Sequence, residues 1–142
     1  MIVPDVNLLI HAMDEGAPSH ARAWDWWSRT MHGSEHIGLT WAVLMGYVRI
    51  VTHPRILQLP FPISEAATHV HDWLTLPRSL VLEPGVEHIQ VMEQMLEAAG
   101  RAGDLVPDAH LAALAYEHGG TVYSEDADFA RFPNVRWIDP TA

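Results

Sequence analysis

Hydrophobic and polar positions along the chain form short apolar runs separated by longer segments with helical periodicity. The continuously apolar run at 1–3 predicts a buried first strand. Similar runs predict four further strands, at 36–39, 79–82, 121–124 and 136–138. The segments between them predict six helices, at 7–13, 18–30, 41–51, 64–76, 87–99 and 106–118. Thr40 is predicted to cap the third helix, and Gly100 is predicted to end the fifth.

Strands that alternate with helices through short connections predict an α/β protein, here an α/β/α sandwich around a central parallel sheet. No internal repeat, low-complexity stretch or linker interrupts the chain, so residues 1–142 are expected to form a single domain. In such sheets, binding sites open at the carboxyl ends of the strands. The residues that directly follow predicted strands are therefore the first candidates for a functional site.

Four aspartates lie at or near this edge of the predicted sheet. Asp5 follows the first strand, and Asp126 and Asp128 follow the fourth. Asp108 lies near the start of the helix that precedes the fourth strand. Clustered carboxylates repel one another unless a cation neutralises them, and a carboxylate-rich site suits Mg²⁺ or Mn²⁺. The four acids therefore predict a metal-dependent phosphodiesterase, with a ribonuclease as the main expectation.

Each acid also has a purely structural explanation, which the sequence leaves open. Asp5 can cap the helix that follows it, and Asp104 can cap the helix that begins near Val106. The acidic segment 124–128 can be a turn with a helix start behind it. Asp108 is less easily explained in this way, because the helix around it is largely apolar and a buried charge needs a partner.

Composition narrows the classes of protein further. The chain has no cysteine, which excludes a disulfide framework, a zinc–thiolate site and a thiol nucleophile. No apolar run approaches the roughly 18 residues of a membrane span, and no signal segment precedes Asp5, so we expect a cytoplasmic protein without a membrane partner. The net charge of −10 counts against non-specific nucleic-acid binding. The same charge suits a basic protein partner.

The basic and aromatic residues give weaker indications. Arg49 and Arg55 belong to the densest basic stretch of the chain, and they either contact phosphates or form surface ion pairs. Trp24 and Trp27 share one helical face, which indicates packing in the core or in a dimer. Three further tryptophans lie in apolar patterns and are expected in the core: Trp41, Trp73 and Trp137.

Four segments of the chain together resemble the PIN-domain toxins of the VapC type: IVPDVNLLI, TWAVLMGYVRIVTHPR, GDLVPDAHLAALAYEHG and VYSEDADFARFPNVRWIDP. They match that family in order and spacing from residue 2 to about residue 140. The resemblance implies a PIN fold over residues 1–142 and an endoribonuclease that depends on Mg²⁺ or Mn²⁺ to cleave RNA. It also implies a homodimer and a cognate antitoxin protein that silences the activity.

The resemblance assigns roles to individual positions. The metal-binding acids of the family correspond to Asp5, Asp108 and Asp126. The nearby acid that assists catalysis corresponds to Asp128. The polar residues that orient these acids or line the pocket correspond to Asn7, Asp104 and Ser124.

One departure from the family pattern concerns the helix at 41–51. Many PIN nucleases carry a glutamate there as a further metal-pocket acid, whereas positions 43–47 read Val-Leu-Met-Gly-Tyr. The missing acid argues against a two-metal mechanism, although Asp104 or a water can fill its place. A catalytically inactive PIN-fold module that binds other proteins is the alternative. An aspartyl-phosphate phosphatase is a weaker one, because Asn7 stands where that chemistry usually has a second acid.

Overall fold

Five short strands form one parallel sheet in the structure, a computed structural model that describes residues 1–142. In chain order they are β1 (Ile2–Pro4), β2 (Ile37–Leu39), β3 (Ser79–Val81), β4 (Thr121–Tyr123) and β5 (Arg136–Ile138). The order across the sheet is β3-β2-β1-β4-β5, and every neighbouring pair is parallel. The prediction of a central parallel sheet is confirmed.

Six α-helices connect the strands: α1 (Val6–Met13), α2 (His20–Met31), α3 (Trp41–Val51), α4 (Ile63–Leu74), α5 (His88–Ala99) and α6 (Val106–Glu117). Their bounds, and those of the strands, lie within two residues of the predicted ones. Two 3-10 helices lie at Gly103–Leu105 and Ala127–Arg131, and the second is the helix start that the sequence allowed behind the acidic turn at 124–128. None of the helices combines the length and the apolar character that crossing a membrane requires.

The strand order distributes the helices over both faces of the sheet. From β1 to β3 the chain moves in one direction across the sheet, through α1 to α4, and between β3 and β4 it returns through α5 and α6. Parallel crossovers are right-handed, so opposite directions of travel place their helices on opposite faces. The contacts agree, since α1 packs on α2 and α3, whereas α5 packs on α6. The result is the expected α/β/α sandwich.

Local signals set the ends of the elements. The Oγ1 atom of Thr40 accepts the backbone N–H of Val43 at 3.2 Å, which confirms the predicted cap of α3. Gly100 ends α5 with a φ of 80°, a left-handed conformation that glycine adopts without steric cost. All three residues of β1 are buried, as expected for a central strand of a parallel sheet that is covered on both faces.

The tryptophans divide between core and surface. Trp27 is fully buried and Trp73 nearly so, and their rings meet edge to face at 5.6 Å between centroids. Trp137 is partly buried and packs against the core. The core prediction for Trp41 is wrong, because this residue is 49% exposed at the first position of α3, beyond the carboxyl end of β2. Trp24 is also largely exposed, unlike Trp27 on the same helix.

Candidate metal centre

Asp5 lies at the carboxyl end of β1, where it caps α1. Its Oδ1 atom accepts the backbone N–H of Val6 at 2.7 Å, and its Oδ2 atom accepts the hydroxyl of Ser124 at 2.7 Å. Burial raises the pKa of Asp5, the two hydrogen bonds oppose this rise, and the charge of Asp126 adds to it. The side chain therefore caps a helix and at the same time belongs to the acidic surroundings of Asp126.

Ser124 follows β4 and is fully buried. Its hydroxyl donates to Asp5 and accepts two hydrogen bonds, from the side-chain amide of Asn7 at 3.1 Å and from the backbone N–H of Asp126 at 3.0 Å. A hydroxyl has one donor and two acceptor positions, and all three are used here. Asn7 thus reaches Asp5 through Ser124 and does not bond to it directly.

Three carboxylates come together beside this serine. Asp108, Asp126 and Asp128 each have an oxygen within 4.8 Å of the oxygens of the other two, and we call these residues the acid cluster. Asp108 lies in the first turn of α6, and Asp126 accepts the backbone N–H of Asp128 at 2.8 Å in the 3-10 helix after β4. Burial raises the pKa of Asp108 to about 6, and the charges of the other three aspartates add to the rise, against the opposing effect of Arg101.

The acid cluster fits a small divalent cation. Mg²⁺ binds oxygen ligands at about 2.1 Å, so two ligands on opposite sides of the ion lie about 4.2 Å apart. Oxygens within 4.8 Å of one another reach this arrangement with only small side-chain shifts. Mutually repelling carboxylates, one with a raised pKa, are also the electrostatic setting in which a bound cation is most favourable.

Two acids close in sequence to the acid cluster are not part of it. Asp104 is exposed in the 3-10 helix before α6, and it does not cap α6, whose first turn is preceded by Leu105. Glu125 has its side chain directed elsewhere. One of its oxygens lies 2.7 Å from Nδ1 of His11, and the other accepts the hydroxyl of Thr141 at 3.1 Å. The structure therefore unites three of the four predicted aspartates, and it places Asp5 outside the acid cluster but near enough for its charge to act on Asp108.

The helix α3 adds no carboxylate to the site. Met45 is 51% exposed, and a side chain built at Gly46 would first meet Val6, at 3.4 Å. The acids come instead from the end of β1, the start of α6 and the segment after β4.

The basic residues that reach the acid cluster lie outside the basic stretch around Arg49 and Arg55 that the sequence suggests. Arg101 and Arg131 both pair with Asp128, at 3.4 Å and 3.0 Å. Arg49, a candidate phosphate contact from the sequence, lies in the last turn of α3. This helix begins at the carboxyl edge of the sheet and its 11 residues span about 16 Å. Arg49 is therefore remote from the acids, and the relevant local signal was the spacing of Asp128 and Arg131.

Comparison with known families agrees with this architecture. The PIN domain family matches residues 2–135 of the chain. Ribonuclease VapC33 of Mycobacterium tuberculosis is 41% identical over 140 residues, which cover 99% of this chain and 98% of that protein. Ribonuclease VapC37 of the same organism is 37% identical over 142 residues, which cover 100% of this chain and 99% of that protein. The chain therefore belongs to the PIN domain family, among the proteins of the VapC type.

Solved structures share the fold at low sequence identity. VapC20 of Mycobacterium tuberculosis, a toxin that cleaves the sarcin–ricin loop, superposes with a TM-score of 0.68 at 19% identity, over 96% of this chain and 99% of that one. VapBC2 from Rickettsia felis, bound to a DNA fragment from its promoter, gives a TM-score of 0.68 at 15% identity, over 97% of this chain and 98% of that one. These likenesses extend over nearly the whole of each chain and confirm the predicted PIN fold.

Proposed function

We propose that this chain is an endoribonuclease that depends on Mg²⁺ or Mn²⁺ and acts as the toxin of a toxin–antitoxin pair. The observation that carries the proposal is the acid cluster at the carboxyl edge of the sheet, with its oxygens within 4.8 Å of one another. RNA as the substrate class is supported by relatives named ribonucleases that align over almost the entire chain.

The proposed metal ligands are Asp108 and Asp126 of the acid cluster together with Asp5, which lies outside the cluster but close enough for its charge to act on Asp108. Both oxygens of Asp5 already accept a protein hydrogen bond, but a carboxylate oxygen has two lone pairs, so each keeps one free. A divalent cation in such a site lowers the pKa of bound water and stabilises charge on phosphoryl oxygens. Ser124 holds Asp5 and the backbone of Asp126 in fixed positions, so it is a positioning residue in this proposal.

Asp128 and Asn7 take supporting parts in the same proposal. Asp128 lies in the acid cluster, but its two oxygens also accept from arginines. Because these donors are cationic, whereas those of Asp5 are neutral, Asp128 has less negative charge to offer a metal ion than Asp5 has. We therefore assign Asp128 a supporting role on the substrate side of the site and not the role of a metal ligand. Asn7 supports Ser124. Asp104 is exposed and stays outside the acid cluster, so we propose for it a supporting position at the edge of the site without contact to the metal.

The test is cleavage of total cellular RNA by the purified protein with Mn²⁺, with Mg²⁺ and with EDTA. Discrete fragments that depend on the metal are expected from the wild type and not from Asp126→Asn. Asp72→Asn is the matched control, because Asp72 is an exposed acid on α4. Titration with Mn²⁺ accompanies the assay and is expected to give one ion per chain, since α3 supplies no further acid.

A protein-binding module without catalytic activity is the second candidate, favoured by the absence of an acid at Met45 and Gly46 and by the net charge of −10. For such a module, no RNA cleavage is expected in the same assay with either metal. A folded wild type that cleaves no RNA with either metal would favour this candidate and contradict the ribonuclease proposal.

We further propose a cognate antitoxin and a homodimer as the protein assemblies of this chain. Several large apolar side chains are exposed, including Leu59, Ile63 and Ile89, and the acidic chain suits a basic partner. The VapBC2 structure contains proteins bound to a promoter DNA fragment, which supports an antitoxin that also binds DNA. Light scattering of the chain alone tests the dimer. Co-purification with the product of a small gene directly upstream tests the antitoxin.

A further inference from the structure

An acidic chain that binds RNA needs a local source of positive charge, because phosphate contacts supply most of a protein's affinity for nucleic acid. The chain has eight basic residues, all arginine, against eighteen acids. A phosphodiester that approaches the acid cluster also meets carboxylates that repel it. The position of the arginines relative to the acid cluster therefore decides where an RNA strand can be held.

Two of the eight arginines converge on one carboxylate of the acid cluster. Arg101, from the connection between α5 and α6, places a terminal guanidinium nitrogen 3.4 Å from Oδ2 of Asp128. Arg131, at the end of the 3-10 helix after β4, places its Nε atom 3.0 Å from Oδ1 of Asp128. No other carboxylate of the chain pairs with two arginines. Positive charge is thus concentrated at one rim of an otherwise acidic site.

Both guanidinium groups keep most of their hydrogen-bond donors. A guanidinium has five N–H donors in a planar fork, and each arginine uses one nitrogen on Asp128. Both side chains are 52% exposed, so the remaining donors are open to solvent. A planar pair of N–H groups matches the paired oxygens of a phosphate. Exposed ion pairs contribute only about 0–1 kcal/mol to stability, so folding alone gives little reason for this arrangement.

We propose that Arg101 and Arg131 are the phosphate-binding residues of the site and that Asp128 positions them beside the acid cluster. The inference rests on the proposed ribonuclease function and adds the part of the site that holds the substrate backbone. Its ligand is the phosphodiester backbone of RNA next to the scissile bond. Such contacts fix the position of the strand without reading its bases, as phosphate contacts do in nucleic-acid complexes generally.

The inference is tested by fluorescence anisotropy with a labelled pool of random-sequence RNA, in EDTA so that metal-dependent cleavage does not consume the probe. Arg101→Ala and Arg131→Ala are each expected to weaken RNA binding about fivefold to tenfold. Each is also expected to reduce the slope of log affinity against log salt by about 0.7 per lost phosphate contact. Arg29→Ala is the matched control, because Arg29 forms an exposed ion pair with Asp25 on α2.

The variant Asp128→Asn distinguishes two effects of Asp128 on RNA binding, its positioning of the two arginines and its own negative charge. Removal of a negative charge by itself strengthens RNA binding, whereas release of the two arginines weakens it. We expect binding to weaken about threefold to fivefold, in spite of the gain in net charge. Tighter binding by Asp128→Asn would overturn the positioning role of this residue.

The remaining outcomes distinguish this inference from the proposed function. Arginine variants that bind RNA like Arg29→Ala, beside a wild type that cleaves RNA with Mn²⁺, overturn the inference alone. A wild type that neither binds nor cleaves RNA contradicts both proposals. Mn²⁺ affinity of the two arginine variants within about twofold of the wild type shows that the fold and the acids are intact, so that weaker RNA binding then reports the lost phosphate contacts.

Discussion

The hydroxyl of Ser124 donates a 2.7 Å hydrogen bond to Oδ2 of Asp5, a residue 119 positions away in the chain. The bond joins the residue after β4 to the residue after β1, and these strands are neighbours in the sheet. Asp126 donates its backbone N–H to the same hydroxyl. One neutral side chain therefore sets the spacing between acids that come from two different strands.

Ser124→Ala is expected to lower both stability and metal affinity. The substitution leaves Oδ2 of the buried Asp5 carboxylate without its donor and the Asn7 amide without its acceptor, which costs about 1–3 kcal/mol of unfolding free energy. Loss of a residue that orients a metal ligand lowers metal affinity about 10- to 100-fold. Urea unfolding in EDTA and calorimetric titration with Mn²⁺ measure the two effects. The exposed Ser34→Ala is the control, and wild-type Mn²⁺ affinity in Ser124→Ala would show that the hydroxyl does not position the acids.

Gly120 joins α6 to β4 at a position where the fold leaves no room for a side chain. A Cβ atom at this position would lie 2.7 Å from Cγ2 of Val3, a fully buried residue of β1. Gly120→Ala therefore forces β1 and β4 to shift, and we expect a loss of about 1–3 kcal/mol in urea unfolding. Gly85→Ala is the control, because the nearest atom to its added Cβ is an oxygen of Glu87 at 3.8 Å. An equal effect of the two substitutions would contradict the packing argument.

The layout of the fold was predictable because its signals are local and agree with one another. Thr40 and Gly100 mark helix ends through interactions within a few residues. The rule that sites in parallel sheets open at the carboxyl ends of the strands then places Asp5 and Asp126 on one edge without any knowledge of packing. Trp41 was mispredicted because an apolar residue at the first position of a helix gives no indication of whether another element covers it.

The partners of individual side chains were less accessible from the sequence. Glu125 and Asp126 are adjacent acids in the bend that follows β4, where no regular periodicity indicates which way each side chain points. Only the structure shows that Asp126 faces the acid cluster while Glu125 faces His11. Arg101 lies 27 residues from Asp128 in sequence, so their pairing depends on the packing of the connection after α5 against the segment after β4.

The opposite orientations of Glu125 and Asp126 give a sharp test. Glu125→Gln is expected to leave Mn²⁺ affinity within about twofold of the wild type, because its side chain contacts His11 and Thr141 and not the acid cluster. Asp126→Asn is expected to lower that affinity at least about tenfold, because it removes a charged ligand. Calorimetric titration measures both. A larger loss in Glu125→Gln than in Asp126→Asn would contradict the orientation seen here.

Asp108 destabilises the metal-free protein at neutral pH. Its pKa is raised from 3.8 to about 6, so the folded state holds this proton more tightly than the unfolded state does. The tighter binding of this proton adds to the free energy of unfolding. That contribution is complete below pH 3.8 and is lost as the pH rises to about 6. Asp108→Asn removes the cost of keeping a charged carboxylate at this position in the folded state. In EDTA at pH 7.5 we expect the free energy of unfolding to rise by about 1–2 kcal/mol. This is less than the full shift implies, because solvent screens a half-exposed side chain.

The comparison that isolates this effect is urea unfolding of the wild type and of Asp108→Asn at pH 4.5 and pH 7.5, both in EDTA. The two proteins should differ more at the higher pH, since only there is the wild-type carboxylate charged among the other acids. Asp104→Asn is the matched control, because it removes an exposed acid four residues earlier that lies outside the acid cluster. The same Asp108→Asn protein should lose its response to Mn²⁺, so the substitution that stabilises the metal-free protein removes the stabilisation that metal binding gives. A variant that is less stable than the wild type at pH 7.5 would show that Asp108 is not held against electrostatic repulsion.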